Sequence, residues 1–313
     1  MDRAKLVELA YQRGKELSLN NKKYLSWLEK FFDQEYKEDV GYGDITSEAL
    51  LTKNKLGSAV LKAKQSGIVG GIEEVCWFYK KHGLKVKIHA EDAKTVEKGD
   101  TILEVHGKQK EILATERIGL NVMQRMSGIA TETRHLVDLL RDHKTRVAAT
   151  RKTNWRYLDK KAVFLGGGLT HRFGLWDSIL IKGNHLEALK CDGIKNPVEK
   201  AITLASQFVD KVGFIEIETT GQDDAIRAAK KFKQLKMKKP CIIMLDNVTP
   251  NEIAQIMETI KSENLYDYVL LEASGNIAPE NIKEYTKTGI DVVSLGYLTH
   301  SAKIFDMSLE MTV

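Results

Sequence analysis

The chain has 313 residues, 42% of them hydrophobic and 29% charged, with a formal net charge of +5. That length allows one or two domains with a large core, and the composition is ordinary for a globular protein, so disorder is not the default. Lys and Arg are interspersed with acids rather than gathered in one run, which argues against a nucleic-acid partner. No uninterrupted apolar stretch approaches the ~18 residues of a membrane span.

The opening segment, MDRAKLVELAYQRGKELSL, alternates charges and lacks the apolar run of a secretory signal. Cys76, Cys191 and Cys241 lie far apart and form no CxxC pair. They are expected to be buried and inert in a reducing, cytoplasmic compartment. Residues 22–37 carry Leu25, Leu28 and Phe32 at helical spacing, with Trp27 and Phe31 beside them. EDVGYGDITSEALL reads as a Gly-rich turn and a short helix, and SAVLKAK, SGIVGG, KVKIHA and TILEVHG read as strands separated by glycines and charged turns. TVEKGDTILEV has the turn-strand look of a lipoyl or biotinyl carrier hairpin but offers no exposed modification lysine, so it is expected to be an ordinary sheet turn.

A long helix is predicted from about Lys108 to Leu140. Beyond it strand and helix alternate: RVAATRKT, SILIKGN, VGFIEIETT, CIIMLDN, YVLLEASG and DVVSLG are short apolar runs ending in polar clusters. In NPVEKAITLASQFV, Asn196 stands as N-cap and Pro197 as the first helical residue, with Val198, Ile202, Ala205 and Val209 on one face. Thr249, Pro250 and Glu252 form a capping box at the start of TPNEIAQIMETI. Apolar strands joined by helices predict a parallel sheet covered on both faces. No GxGxxG follows a first strand, so an open dinucleotide-binding sheet has less support than a β/α barrel.

Polar residues recur where each strand ends: Arg151 and Lys152, Lys182, Glu216 and Glu218, Asp246, Ser274 and Gly275, Gly296. In a barrel these ends meet at one mouth. His171 and Arg172 add cations to the set. Guanidinium and ammonium groups in such number suit carboxylates and phosphates, the carboxylates suit a divalent cation and sugar hydroxyls, and the small residues suit a terminal phosphate.

The motifs EDVGYGDIT, ERIGLNVMQRMSGIAT, ATRKT, LGGGLTHRFGL, LIKGNH, IEIE, LDN, LEASGNI and SLGYLTHS occur in this order. With them the chain resembles the quinolinate phosphoribosyltransferases, the type II phosphoribosyltransferases, over nearly its whole length. The resemblance implies an α/β protein with an N-terminal α/β sandwich domain, residues 1–117 joined by the tail 301–313, and an incomplete, seven-stranded β/α barrel, residues 118–300. It implies transfer of phosphoribosyl from phosphoribosyl pyrophosphate (PRPP) to quinolinate with decarboxylation, giving nicotinate mononucleotide, with Mg2+ as the cofactor. It further implies a homodimer with shared active sites, with assembly into hexamers left open.

Carried over by motif, Arg117 would enter the partner's site to bind a quinolinate carboxylate. Arg151, His171 and Arg172 would hold the acceptor. Lys152 and Lys182 would lie between quinolinate and pyrophosphate. Glu218 and Asp246 would face the ribose hydroxyls and the metal, with Glu216 a lesser candidate. Ser274, Gly275, Gly296 and His300 would cradle the 5-phosphate. Two departures stand out. Asn154 and Trp155 replace the family's Thr-Pro-Gly turn in a shortened loop, with Arg156 and Lys160 keeping their places relative to the next helix. Lys182-Gly183-Asn184-His185 stands where the family has Lys-Asp-Asn-His. A related transferase with another acceptor such as nicotinate, or a non-catalytic ligand-binding relative, are the alternative readings.

Overall fold

The computed structural model describes residues 2–312. The chain forms two compact units.

One unit comprises Gly14–His135, Asn154–Gly167 and the segment from Ser301 onward. Its sheet is built from β1 (Leu56–Ala63), β3 (Lys85–Ile88), β5 (Thr101–Lys108) and the C-terminal strand β12 (Met307–Thr312), in the order β12-β1-β5-β3. All pairings are antiparallel, so alternate residues of β1 point inward, and Ala59, Leu61 and Ala63 are buried. The short strands β2 (Gly67–Ile68) and β4 (Thr95–Val96) pair separately, and the TVEKGDTILEV stretch is a plain sheet turn as expected. The predicted helices form as Lys22–Val40 and Ile45–Leu50, the second capped by the Asp44 carboxylate, which accepts from Ser47 N at 3.0 Å. Phe32 stacks on Phe78 with ring centres 4.4 Å apart. Asp159, fully buried, is offset by a bidentate pair with Arg125 at 2.7 and 2.8 Å.

The other unit comprises the residues up to Arg13, Leu136–Thr153 and Gly168–His300. It carries β6 (Arg146–Ala149), β7 (Ile179–Ile181), β8 (Ile215–Thr219), β9 (Cys241–Asp246), β10 (Leu270–Ser274) and β11 (Val292–Leu295), all parallel, in the order β6-β11-β10-β9-β8-β7. Each falls on one of the predicted apolar runs. The free side of β6 holds a single parallel bridge, Ala148 to Leu169. This bridge occupies the place of a seventh strand, and the GGGLTHR glycines and the turn at His171 leave it one residue long. Ala148, Leu169, Phe214, Ile242, Leu270 and Val292 pack into one cluster, so the sheet curls on itself around a common interior.

The helix Arg3–Tyr11 closes the lower end of that interior with Val7, Ala10 and Tyr11. Arg3 anchors it, donating to the Asp291 carboxylate and to the carbonyls of Tyr266 and Val269. The sequence division placed these residues with the N-terminal domain; their apolar side chains group them with the barrel strands. The long helix runs Gln109–Leu139, and its residues up to His135 group with the sheet unit. The helix Pro197–Ser206 buries Val198, Ile202 and Ala205, but it ends before Val209, which belongs to a separate turn of 3-10 helix. The Thr249 capping box forms, with Glu252 accepting from Thr249 N at 2.9 Å. Of the cysteines, Cys76 and Cys241 are buried and their thiols are pushed up by burial, to about 11 and about 12. Cys191 corrects the expectation, since it is exposed at the end of the helix Gly183–Cys191.

Candidate active site

A cavity of about 800 Å³ opens at the C-terminal ends of the parallel strands. Its lining brings together Arg151, Lys152, His171, Arg172, Lys182, Glu218, Asp246, Ser274, Gly275, Gly296 and His300. Every one of these was expected from the sequence, and all belong to the barrel unit. Arg117 lies in the other unit, exposed on the long helix.

Strand geometry explains the placement. Residues two apart in a strand share a face. Glu216 and Glu218 share one, as do Met244 and Asp246, Glu272 and Ser274, and Ser294 and Gly296. In each pair the later residue lines the mouth, and the earlier one sits a layer deeper. β8 is an interior strand, so Glu216 is wholly buried rather than solvated on an edge.

The loops at the mouth are held in unusual backbone conformations. His171, Asn247 and Asn276 have φ of 54°, 57° and 51°, and Gly275 has φ of 88°. Left-handed backbone costs a non-glycine residue energy and persists where surrounding bonds enforce it. Here Asn247 N donates to the Ser274 carbonyl at 2.8 Å, Asn276 Nδ2 to Asn247 Oδ1 at 3.0 Å, and Asn247 Nδ2 to the Asp246 carboxylate at 2.9 Å. A Cβ on Gly275 would stand 2.3 Å from Asn247 Oδ1, and one on Gly296 would stand 2.9 Å from both Lys152 and His300. At Gly275, where φ is left-handed and the Asn247 main-chain N would stand 2.9 Å away as well, only glycine permits the approach. Thr299 Oγ1 donates to the Lys152 carbonyl at 2.6 Å, tying the Arg151-Lys152 strand end to the loop after Gly296.

Beneath the mouth lies a buried polar cluster. His171 Nε2 is 3.5 Å from Glu216 Oε2 and 3.4 Å from Glu272 Oε2, all three side chains being nearly or wholly inaccessible. The Arg172 main-chain N–H donates to His171 Nδ1 at 2.7 Å, which favours a neutral ring protonated on Nε2. Burial also lowers the imidazole pKa, but Glu272 and then Glu216 raise it, to about 9. Magnitudes decide the contest. The two carboxylates together outweigh both burial and the single hydrogen bond at Nδ1, which the protonated ring gives up. Burial and the Glu272 charge push Glu216 up to about 7, while at Glu272 burial is outweighed by the His171 cation together with the neighbouring Ser294 and Tyr11 hydroxyls, which hold it below the ordinary carboxylate range. Burial and the nearby Arg151 lower the Arg172 guanidinium, which donates to the Ser178 carbonyl at 3.0 Å.

Glu272 and Ser294 line the cavity and were not singled out in the sequence. The two-residue strand period back from Ser274 and Gly296 was the signal available. Tyr11, under His171, carries no such signal.

The family model of the quinolinate phosphoribosyl transferase N-terminal domain matches residues 44–127, and that of the C-terminal domain residues 129–310. The chain is 36% identical over 279 residues to a probable nicotinate-nucleotide pyrophosphorylase [carboxylating] of Methanothermobacter thermautotrophicus, covering 88% of this chain and 95% of that protein. Among solved structures, the nicotinate-nucleotide pyrophosphorylase from Francisella tularensis superposes with a TM-score of 0.76 at 33% identity, covering 92% of this chain and 96% of the other. NadC from Streptococcus pyogenes superposes with a TM-score of 0.80 at 31% identity, covering 92% and 97%. With both domain models matched in order and the motif residues gathered at one barrel mouth, the chain belongs to the quinolinate phosphoribosyl transferase family.

Proposed function

We infer that the chain is a quinolinate phosphoribosyltransferase. It transfers the phosphoribosyl group of PRPP to quinolinate, releasing pyrophosphate and carbon dioxide and leaving nicotinate mononucleotide for NAD biosynthesis. The observation that carries this reading, within the family, is the charge layout of the mouth: Arg151, Lys152, Arg172 and Lys182 line the same cavity as Glu218 and Asp246.

The acceptor is a dianion and the donor a polyanion, so the two repel each other unless cations intervene. Arg151 and Arg172 are assigned to the acceptor carboxylates, which planar guanidinium groups bind bidentately. His171 supplies a cation beneath them. Lys152 and Lys182 are assigned to the gap between acceptor and pyrophosphate. As pyrophosphate leaves, positive charge develops on the sugar, and Glu218 and Asp246 are placed to stabilise it. The ring nitrogen bonds to C1 of the sugar as the bond from C1 to pyrophosphate breaks. The resulting cationic ring accepts the electron pair left when the adjacent carboxylate departs, and a proton replaces it at that carbon.

Glu218 and Asp246 offer oxygen donors, the chemistry magnesium prefers, from neighbouring strands of one wall. They are the residues that would hold Mg2+, whose charge would offset that of the departing pyrophosphate. Ser274, Gly275, Gly296 and His300 are assigned to the 5-phosphate, where residues without side chains suit main-chain contacts to an anion. Arg117 is assigned to a partner subunit's acceptor site in a homodimer. The cytoplasm is the proposed location: the cysteines are free, which suits a reducing compartment, and among the described residues no helix is long and apolar enough to cross a membrane.

Incubating the chain with quinolinate, PRPP and Mg2+ tests the reading. Nicotinate mononucleotide and pyrophosphate should form in equal amounts, and absence of both would refute it.

A further inference from the structure

The segment that carries His171 and Arg172 has almost no strand to support it, since its only ladder contact among the described residues is the bridge at Leu169. It hangs instead on the N-terminal helix. The Tyr11 carbonyl accepts from His171 N and from Thr170 Oγ1, each at 2.9 Å, and Gln12 Nε2 donates to the Gly168 carbonyl at 3.1 Å. The Tyr11 ring, fully buried, meets the His171 ring edge-on with centres 5.2 Å apart, and its hydroxyl lies beside the Glu272 carboxylate. The left-handed backbone of His171 is thus enforced from below by Tyr11 and from the sheet by Glu216 and Glu272.

Stability alone does not account for this cluster. Buried ionic groups are seldom more stable than well-packed hydrocarbon of the same volume, and the layer beneath is hydrocarbon apart from Tyr11. Two carboxylates below a pocket for anions would also oppose binding unless something offsets them. His171 stands between them, within 3.5 Å of both, and does so, and Arg172 follows it directly in the chain, so the seating of His171 also places Arg172.

We propose that Tyr11 and Glu272 are positioning residues for the pyridine acceptor: they seat His171 so that the His171-Arg172 turn presents its cations to the acceptor's carboxylates. This rests on the quinolinate reading given above. Neither residue is assigned to the donor, so the effect belongs to one substrate.

Steady-state kinetics with both substrates varied, alongside thermal unfolding, tests the proposal on Glu272→Gln and Tyr11→Phe. Glu272→Gln keeps the side-chain volume and removes the charge. Its KM for quinolinate should rise about tenfold or more while its KM for PRPP stays within about twofold. Tyr11→Phe keeps the ring and the carbonyl contacts and removes only the hydroxyl, so it should fold as the wild type does and show a smaller rise in the same parameter. Glu272→Asp, which keeps the charge, should recover part of the loss. Wild-type turnover with unchanged quinolinate KM in Tyr11→Phe and Glu272→Gln overturns the proposal. So does a loss shared equally by both substrates and accompanied by a lower unfolding temperature. A wild-type chain that does not use quinolinate at all refutes the functional reading instead.

Discussion

Gly183 faces Glu218: a Cβ built on Gly183 would stand 3.9 Å from Glu218 Oε1, with nothing nearer. The position opens the helix Gly183–Cys191 directly after Lys182, and its φ lies outside the region that demands glycine. An aspartate therefore fits and would bring a second carboxylate beside Glu218. Gly183→Asp is expected to leave turnover unchanged or higher and to lower the magnesium concentration for half-maximal rate. A magnesium titration of both chains checks this, and a sharp loss of rate would mean the site is arranged around the glycine.

Arg151→Ala should raise the quinolinate KM by about thirtyfold or more, since truncating one partner of a hydrogen-bonded charge pair costs about 2–5 kcal/mol. The KM for PRPP should move far less. An unchanged quinolinate KM would remove Arg151 from the acceptor site.

Mixing Arg117→Ala with Arg151→Ala subunits probes the shared-site proposal. Each variant alone should be nearly inactive, whereas mixed dimers should regain activity at the one site that takes Arg151 from the Arg117→Ala subunit and Arg117 from the Arg151→Ala subunit. No recovery on mixing would end the shared-site reading.

Gly275→Ala places a methyl 2.3 Å from Asn247 Oδ1 at a φ of 88°. Left-handed strain and the clash together should cost about 1–3 kcal/mol of stability. The phosphate loop should be displaced as well, raising the KM for PRPP. Denaturant unfolding and kinetics measure the two effects separately.

His171 makes folding stability depend on pH. Its folded pKa is raised, to about 9, and it is faced by Glu216, Glu272, Tyr11 and Arg172. A raised cationic group adds stability that is fully present below its unfolded pKa, ~6.5, and is lost as pH rises through the folded value. The unfolding free energy should therefore fall by a few kcal/mol between about pH 6 and about pH 10. In His171→Asn that fall should shrink. Equal slopes for the two chains would show that His171 does not carry the linkage.

Much of this site was legible because strand ends are punctuated. An apolar run stopping at Asp246 or at Ser274-Gly275 marks both where a parallel strand ends and which residue faces the mouth. Glu272 was harder to see, because inside LLEAS it reads as part of the strand, and only the two-residue period back from Ser274 exposes its inward face. Tyr11 could not be found this way. Its role depends on the first helix closing the barrel, a long-range packing that no local pattern encodes. The seventh strand was expected from resemblance, and the structure reduces it to Leu169, because the left-handed turn at His171 ends the extended chain at once. Val209 failed for a related reason, since helical spacing continued in the sequence after the helix itself had ended at Ser206.

The most direct test of the account is the fate of the acceptor's second carboxylate. Quinolinate labelled with carbon-13 at that carboxyl should yield one labelled carbon dioxide per nicotinate mononucleotide with PRPP and Mg2+, and nicotinate in its place should yield no product. Product from nicotinate alone would contradict the acceptor assignment of Arg151 and Arg172, and no product from either would contradict the transferase reading itself.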